Sequence, residues 1–259
     1  MDEYSEYEGI SLGEAAVWQK NKGVWEPSFR ASRGVGIFAI AFGSDQQQTV
    51  GVEWGEGLTL WDNEGKRIET KKITSDDCCC SLIVTSENKP TVLVGVNSAI
   101  HCLALDDIAN PRKISAAFHH HGEVKTADIS PDLSLIATGS VDFKIAIQEV
   151  RPGNMAHLLW EDAHTERVNS VVFSPDGQRV YSGGYDWIIK CWSAQSGERL
   201  GEFSDSGFGR IGTLGVAPDG DMLFCSSVGN HRFVVLDRDL DPLIAISMGF
   251  DSIFRHVFS

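Results

Sequence analysis

The chain has 259 residues, 42% of them hydrophobic and 22% charged, a balance that supports a folded core and excludes a disordered polypeptide. Its formal net charge of −14 weighs against a nucleic-acid or anionic-membrane partner, because phosphate is met with Lys and Arg. Charge alone therefore favours a basic segment of a protein partner.

The first residues, Asp2-Glu3-Tyr4-Ser5-Glu6-Tyr7-Glu8, are predicted to form an acidic flexible tail over 1–9. They lack a basic stretch followed by an apolar run, so they do not read as a signal peptide. Further on, Thr91 to Leu105 is shorter than the roughly 18 apolar residues of a membrane helix and contains polar groups. The expectation is a soluble, intracellular protein, cytoplasmic with the nucleus as an alternative. Its six cysteines are then mostly reduced thiols.

From residue 10 the pattern is short strands and turns. Ile10 to Gly13, Ala15 to Trp18 and Val24 to Phe29 read as strands. Apolar opening strands follow at Ile37–Phe42, Cys80–Val84, Val124–Ile129, Val168–Phe173 and Ile211–Val216. Ser130-Pro131-Asp132, Ser174-Pro175-Asp176-Gly177 and Ala217-Pro218-Asp219-Gly220 mark equivalent hairpin corners, where Pro presets φ and Asp accepts backbone hydrogen bonds.

Trp18, Trp61, Leu103, Gln148, Trp192 and Leu236 close successive repeats at spacings of 43, 42, 45, 44 and 44. The clearest copy runs from His164 through Val168–Phe173, Ser174-Pro175-Asp176-Gly177 and Ser182 to Asp186 and Trp192. In these residues the chain resembles a WD-repeat β-propeller. The resemblance implies an all-β fold with one propeller over residues 10–259. Six four-stranded blades are expected, one of them shared between residues 253–259 and about 10–30, with seven blades as the alternative. Sharing a blade between the termini would remove exposed sheet edges.

The family resemblance also implies that His164, Ser182, Asp186 and Trp192 form a structural hydrogen-bonded tetrad, although Ser, His and Asp alone could be mistaken for a hydrolase triad. The preceding repeat keeps His120, Thr138 and Asp142 but has Gln148 in the Trp position. The runs His119-His120-His121 and Cys78-Cys79-Cys80 give no metal site, since adjacent strand residues point to opposite faces. No nucleophile elbow, P-loop or dinucleotide fingerprint occurs. No cofactor, metal or catalytic residue is assigned.

By the same resemblance, residues before each opening strand and around the turn Asp project onto one propeller face. These are Thr165, Arg167, Tyr185, Trp187, Glu123, Phe208, Arg210 and Phe250. Arg167, Tyr185, Phe208 and Arg210 are expected to form one patch, with aromatic and Arg residues of the type enriched in interface hot spots. The implied function is a non-catalytic scaffold or subunit of a multiprotein complex that binds a peptide or protein. The alternative is a hydrolase, a lyase or a binder of a small ligand or modified peptide using the central channel.

Overall fold

Short apolar strands separated by tight turns pair with their neighbours in sequence, and this local pairing generates the architecture. The computed structural model describes residues 15–21, 24–31, 37–42, 48–53, 57–62, 66–71, 78–79, 91–96, 99–104, 112–118, 120–150, 157–230 and 232–247. A hairpin of β1 (Ala15–Asn21) and β2 (Val24–Ala31) comes first.

Four-stranded antiparallel sheets follow, each ordered as in the sequence. The first contains β3 (Ile37–Phe42), β4 (Gln48–Glu53), β5 (Gly57–Asp62) and β6 (Arg67–Lys71). The next contains β7 (Cys78–Cys79), β8 (Thr91–Val96), β9 (Ala99–Ala104) and β10 (Arg112–Phe118). The third contains β11 (Val124–Ile129), β12 (Leu135–Ser140), β13 (Lys144–Glu149) and β14 (His157–Ala163). The fourth contains β15 (Val168–Phe173), β16 (Arg179–Gly184), β17 (Ile188–Ser193) and β18 (Arg199–Ser204). The last contains β19 (Arg210–Val216), β20 (Met222–Val228), β21 (Arg232–Asp237) and β22 (Pro242–Ser247).

The strands expected at Ile37–Phe42, Val124–Ile129 and Val168–Phe173 coincide with β3, β11 and β15, and Ile211–Val216 lies within β19. Just ahead of the expected strand Cys80–Val84, Cys78 and Cys79 pair with Val96 and Gly95. Residues 80–84 lie outside the described residues, as do the tail and the two segments 10–13 and 253–259 of the expected shared blade.

In the last three sheets burial falls toward the closing strand. Every residue of β12 is buried, whereas β18 alternates between exposed and partly covered positions. The opening strands β11, β15 and β19 adjoin one another and are tied by side chains. Thr126 Oγ1 accepts the Val171 N–H at 3.2 Å, and Ser170 Oγ accepts the Leu214 N–H at 3.0 Å. The sheets approach closely because Gly139 and Gly183 lack side chains; a Cβ there would collide with Val168 and Ile211 of the next sheet. The space between the last two sheets is filled by Tyr181, Ile189, Phe208, Ile211, Leu223 and Leu236, among others.

Candidate binding face and the buried network beneath it

At the end where β15 begins, the chain places four polar groups in contact. Trp192 Nε1–H donates to Ser182 Oγ at 2.9 Å, and Ser182 Oγ lies 2.8 Å from His164 Nε2. His164 Nδ1 lies 2.9 Å from Asp186 Oδ2. With the indole as a fixed donor, the simplest proton arrangement runs from Trp192 to Ser182, His164 and Asp186 in turn. Burial alone would raise the Asp186 carboxyl. The His164 hydrogen bond, with the N–H groups of Thr165 and Ile188, outweighs burial and holds it below its usual range.

These contacts have the connectivity of a Ser-His-Asp triad, but Ser182 is 0% exposed and its oxygen is already capped by the indole. A nucleophile needs a path to substrate, and this hydroxyl has none.

The β11–β14 sheet repeats the arrangement in part. His120 Nε2 lies 2.8 Å from Thr138 Oγ1, and His120 Nδ1 lies 3.1 Å from Asp142. Gln148 is fully buried, and neither its Oε1 nor its Nε2 has a hydrogen-bond partner. His121 donates its backbone N–H to Asp142 and is exposed, so consecutive histidines serve different surroundings. His119 and the Cys78-Cys79-Cys80 side chains lie outside the described residues. Among the described residues, no three His, Cys, Asp or Glu side chains could converge on a metal.

Above this network, Arg167 Cζ lies 3.8 Å from the Tyr185 ring centroid, and Arg210 Cζ lies 5.0 Å from it. Arg167 and Tyr185 belong to the β15–β18 sheet and Arg210 to the next, so the cluster spans two sheets. Trp187 is 44% exposed beside it, and Thr165 is exposed. Glu123 is half-buried and pairs with Lys125 at 2.7 Å. Phe250 lies outside the described residues.

Phe208 departs from the expected patch. It is 3% exposed and packs into the core between the last two sheets. Gly209, at φ 94°, turns the chain between it and Arg210, so the phenyl ring goes inward while the guanidinium faces solvent.

Sequence reasoning missed Phe143, which is 42% exposed on the turn after β12. It stands 44 positions before Trp187, and that spacing was available as a signal. It also missed Asp128. This buried carboxylate on β11 accepts the N–H of Phe173 at 2.6 Å and of Ile129 at 2.8 Å. Burial pushes it up to about 7 against the pull of those two donors.

In-order four-stranded sheets whose opening strands adjoin define a β-propeller, an all-β repeat architecture without helices among the described residues. A chain in the "Crystal Structure of Mitotic Checkpoint Complex" has the same fold, with a TM-score of 0.75 at 16% identity, covering 94% of this chain and 77% of that one. Residues 112–147 and 157–193 match the family described as WD domain, G-beta repeat. The guanine nucleotide-binding protein subunit beta of Nicotiana tabacum is 27% identical over 57% of this chain and 40% of its own length. The anaphase-promoting complex subunit cdc20 of Dictyostelium discoideum is 28% identical over 58% of this chain and 29% of its own length.

Two segments of the chain, residues 112–147 and 157–193, are thus similar to WD repeats, and the chain has the β-propeller fold. The match spans less than half the length of these two curated relatives. No helix among the described residues is long and apolar enough to cross a membrane.

Proposed function

We propose that the chain is a non-catalytic interaction platform, a subunit of a multiprotein complex that holds a peptide or protein on the face around Tyr185. The observation that carries this reading is the Arg167–Tyr185–Arg210 cluster, in which half-buried Arg167 and Tyr185 meet exposed Arg210, with exposed Trp187 beside it, spanning two sheets. Large aromatic and Arg side chains combine apolar contact with hydrogen bonding and dominate interface energetics. The sealed Ser182 supports a non-catalytic role for the triad-like set beneath. Two relatives are named as subunits, and the similar fold comes from a complex. Buried free thiols at Cys191 and Cys225 fit a reducing intracellular compartment, in the cytoplasm or nucleus.

The acidic excess favours encounter with basic segments over the wider surface. The face itself is tested by purifying the tagged chain from its native cells beside a variant with Arg167→Ala, Tyr185→Ala and Trp187→Ala. Stoichiometric partners that the folded variant loses support the platform. If the wild type purifies alone, or the variant keeps every partner, the assignment fails.

A further inference from the structure

Two observations at this face have no explanation in the packing of the chain itself. The first is a pair of like charges at one ring. Among the described residues, no carboxylate lies within 4.0 Å of the Arg167 or Arg210 guanidinium, although acids outnumber bases by 36 to 22. Arg179, Arg199, Arg232 and Arg238 each have an Asp or Glu partner. Arg167 Nε is also buried without a hydrogen-bond partner. Tyr185 holds both cations by ring contacts, which leaves guanidinium N–H edges unused.

The second is a pair of exposed aromatic residues at equivalent turns. Phe143 and Trp187 occupy the same turn position in consecutive sheets, at φ 74° and 69°. Each follows an Asp whose Oδ1 accepts the next backbone N–H, from Lys144 and Ile188 respectively. This left-handed position favours Gly, and bulky side chains rarely adopt it. Leu133 and Leu240 share this turn geometry, so the φ values belong to the hairpins; what marks Phe143 and Trp187 is that two large aromatic residues at equivalent turns are each more than two-fifths exposed. The two turns lie at one end of the fold, since Phe143 O accepts the His164 N–H just before Thr165 and Arg167.

We infer that this face docks an acidic peptide segment. An Asp or Glu carboxylate takes the free guanidinium edges of Arg167 and Arg210, and neighbouring apolar side chains rest on Trp187 and Phe143. The planar guanidinium presents paired donors that match a carboxylate, and a stacked guanidinium is already oriented for it. The inference rests on the platform reading of this face. It assigns local chemistry opposite to that favoured by net charge, which is consistent because solvent-exposed charges beyond about 8 Å are largely screened at physiological salt.

The test uses fluorescence anisotropy with short labelled peptides of alternating Glu and Leu, Gln and Leu, or Lys and Leu. The expected result is a Glu peptide bound roughly tenfold or more tightly than the Gln peptide, as charge-assisted bonds require. Arg167→Gln with Arg210→Gln abolishes that preference, and Trp187→Gly weakens the Glu and Gln peptides alike, with thermal melts confirming that the variants fold. Equal binding of Glu and Gln peptides, tighter binding of the Lys peptide, no binding of the Glu peptide, or a Glu preference that survives loss of both arginines overturns the inference. If the Glu preference is missing while the Arg167, Tyr185 and Trp187 alanine variant still loses its cellular partners, the platform stands and only the acidic-ligand chemistry falls.

Discussion

Gln148→Met isolates the polar group with the least compensation in the described core. Gln148 occupies the place that Trp192 fills one repeat later, at 0% exposure, and both amide heteroatoms lack partners. Trp192 satisfies its N–H on Ser182, but Thr138, the equivalent hydroxyl near Gln148, bonds to His120 and to the Ala146 carbonyl. A buried amide without a partner costs roughly 1–3 kcal/mol. Met is close to Gln in length and volume and has no strong donor or acceptor to satisfy, so it removes that cost while leaving little cavity. Unfolding free energy should rise by about 1–3 kcal/mol, and Tm by about 2–4 °C for each kcal/mol in a chain of this size. Urea titration with an unchanged m-value and a parallel calorimetric scan measure both. Equal or lower stability would refute the reasoning, because it would mean that the amide is satisfied by an ordered water that a thioether cannot hold.

Ser182→Ala leaves the Trp192 N–H and His164 Nε2 buried without their shared oxygen. It should cost roughly 1–3 kcal/mol for each group in urea unfolding, and a change within about 0.5 kcal/mol would contradict the network's structural role. Asp128 supplies a pH test. Its folded value of about 7 exceeds the unfolded 3.8, so the folded chain keeps a proton that the unfolded chain releases. The group's stabilising contribution is full below about pH 4, declines as pH rises toward 7 and is lost above it, by an amount on the order of 4 kcal/mol. Unfolding free energies of the wild type and Asp128→Asn measured from pH 4 to 8 should therefore show the wild type losing ground to the variant across that window. A pH-independent difference would show that Asp128 does not retain its proton.

The fold was legible where repeats carry redundant signals. Ser174-Pro175-Asp176-Gly177 fixes a corner, the apolar run of β15 fixes the strand before it, and the regular spacing checks both. The limits were physical too. An aromatic residue before an opening strand reads the same whether it caps the face or enters the core. Phe208 goes inward because Gly209 reverses the local backbone, a feature of conformation that composition does not carry. Asp128 went unnoticed because a charged residue in a strand is ordinarily solvated, and here the neighbouring strand supplies the Phe173 N–H as its partner. Arg167, Tyr185 and Arg210 were grouped into one patch by their repeat positions; that both guanidinium groups lie against the Tyr185 ring depends on how two sheets meet.

The buried network and the exposed face form one mechanical unit. Asp186 accepts the Thr165 N–H at 3.1 Å and the Ile188 N–H at 3.2 Å, so one carboxylate grips both the loop before β15 and the turn before β17. Tyr185 N–H donates to Arg167 O at 2.9 Å and closes the same two segments above that clamp. The residues that present Arg167, Tyr185 and Trp187 are thus held from below by the group that His164, Ser182 and Trp192 orient. A partner meeting this face finds loops ordered before contact, which reduces the entropy lost on binding. The Ser-His-Asp geometry that would activate a nucleophile in an open cleft serves here, closed over by an indole, to fix the shape of the surface above it.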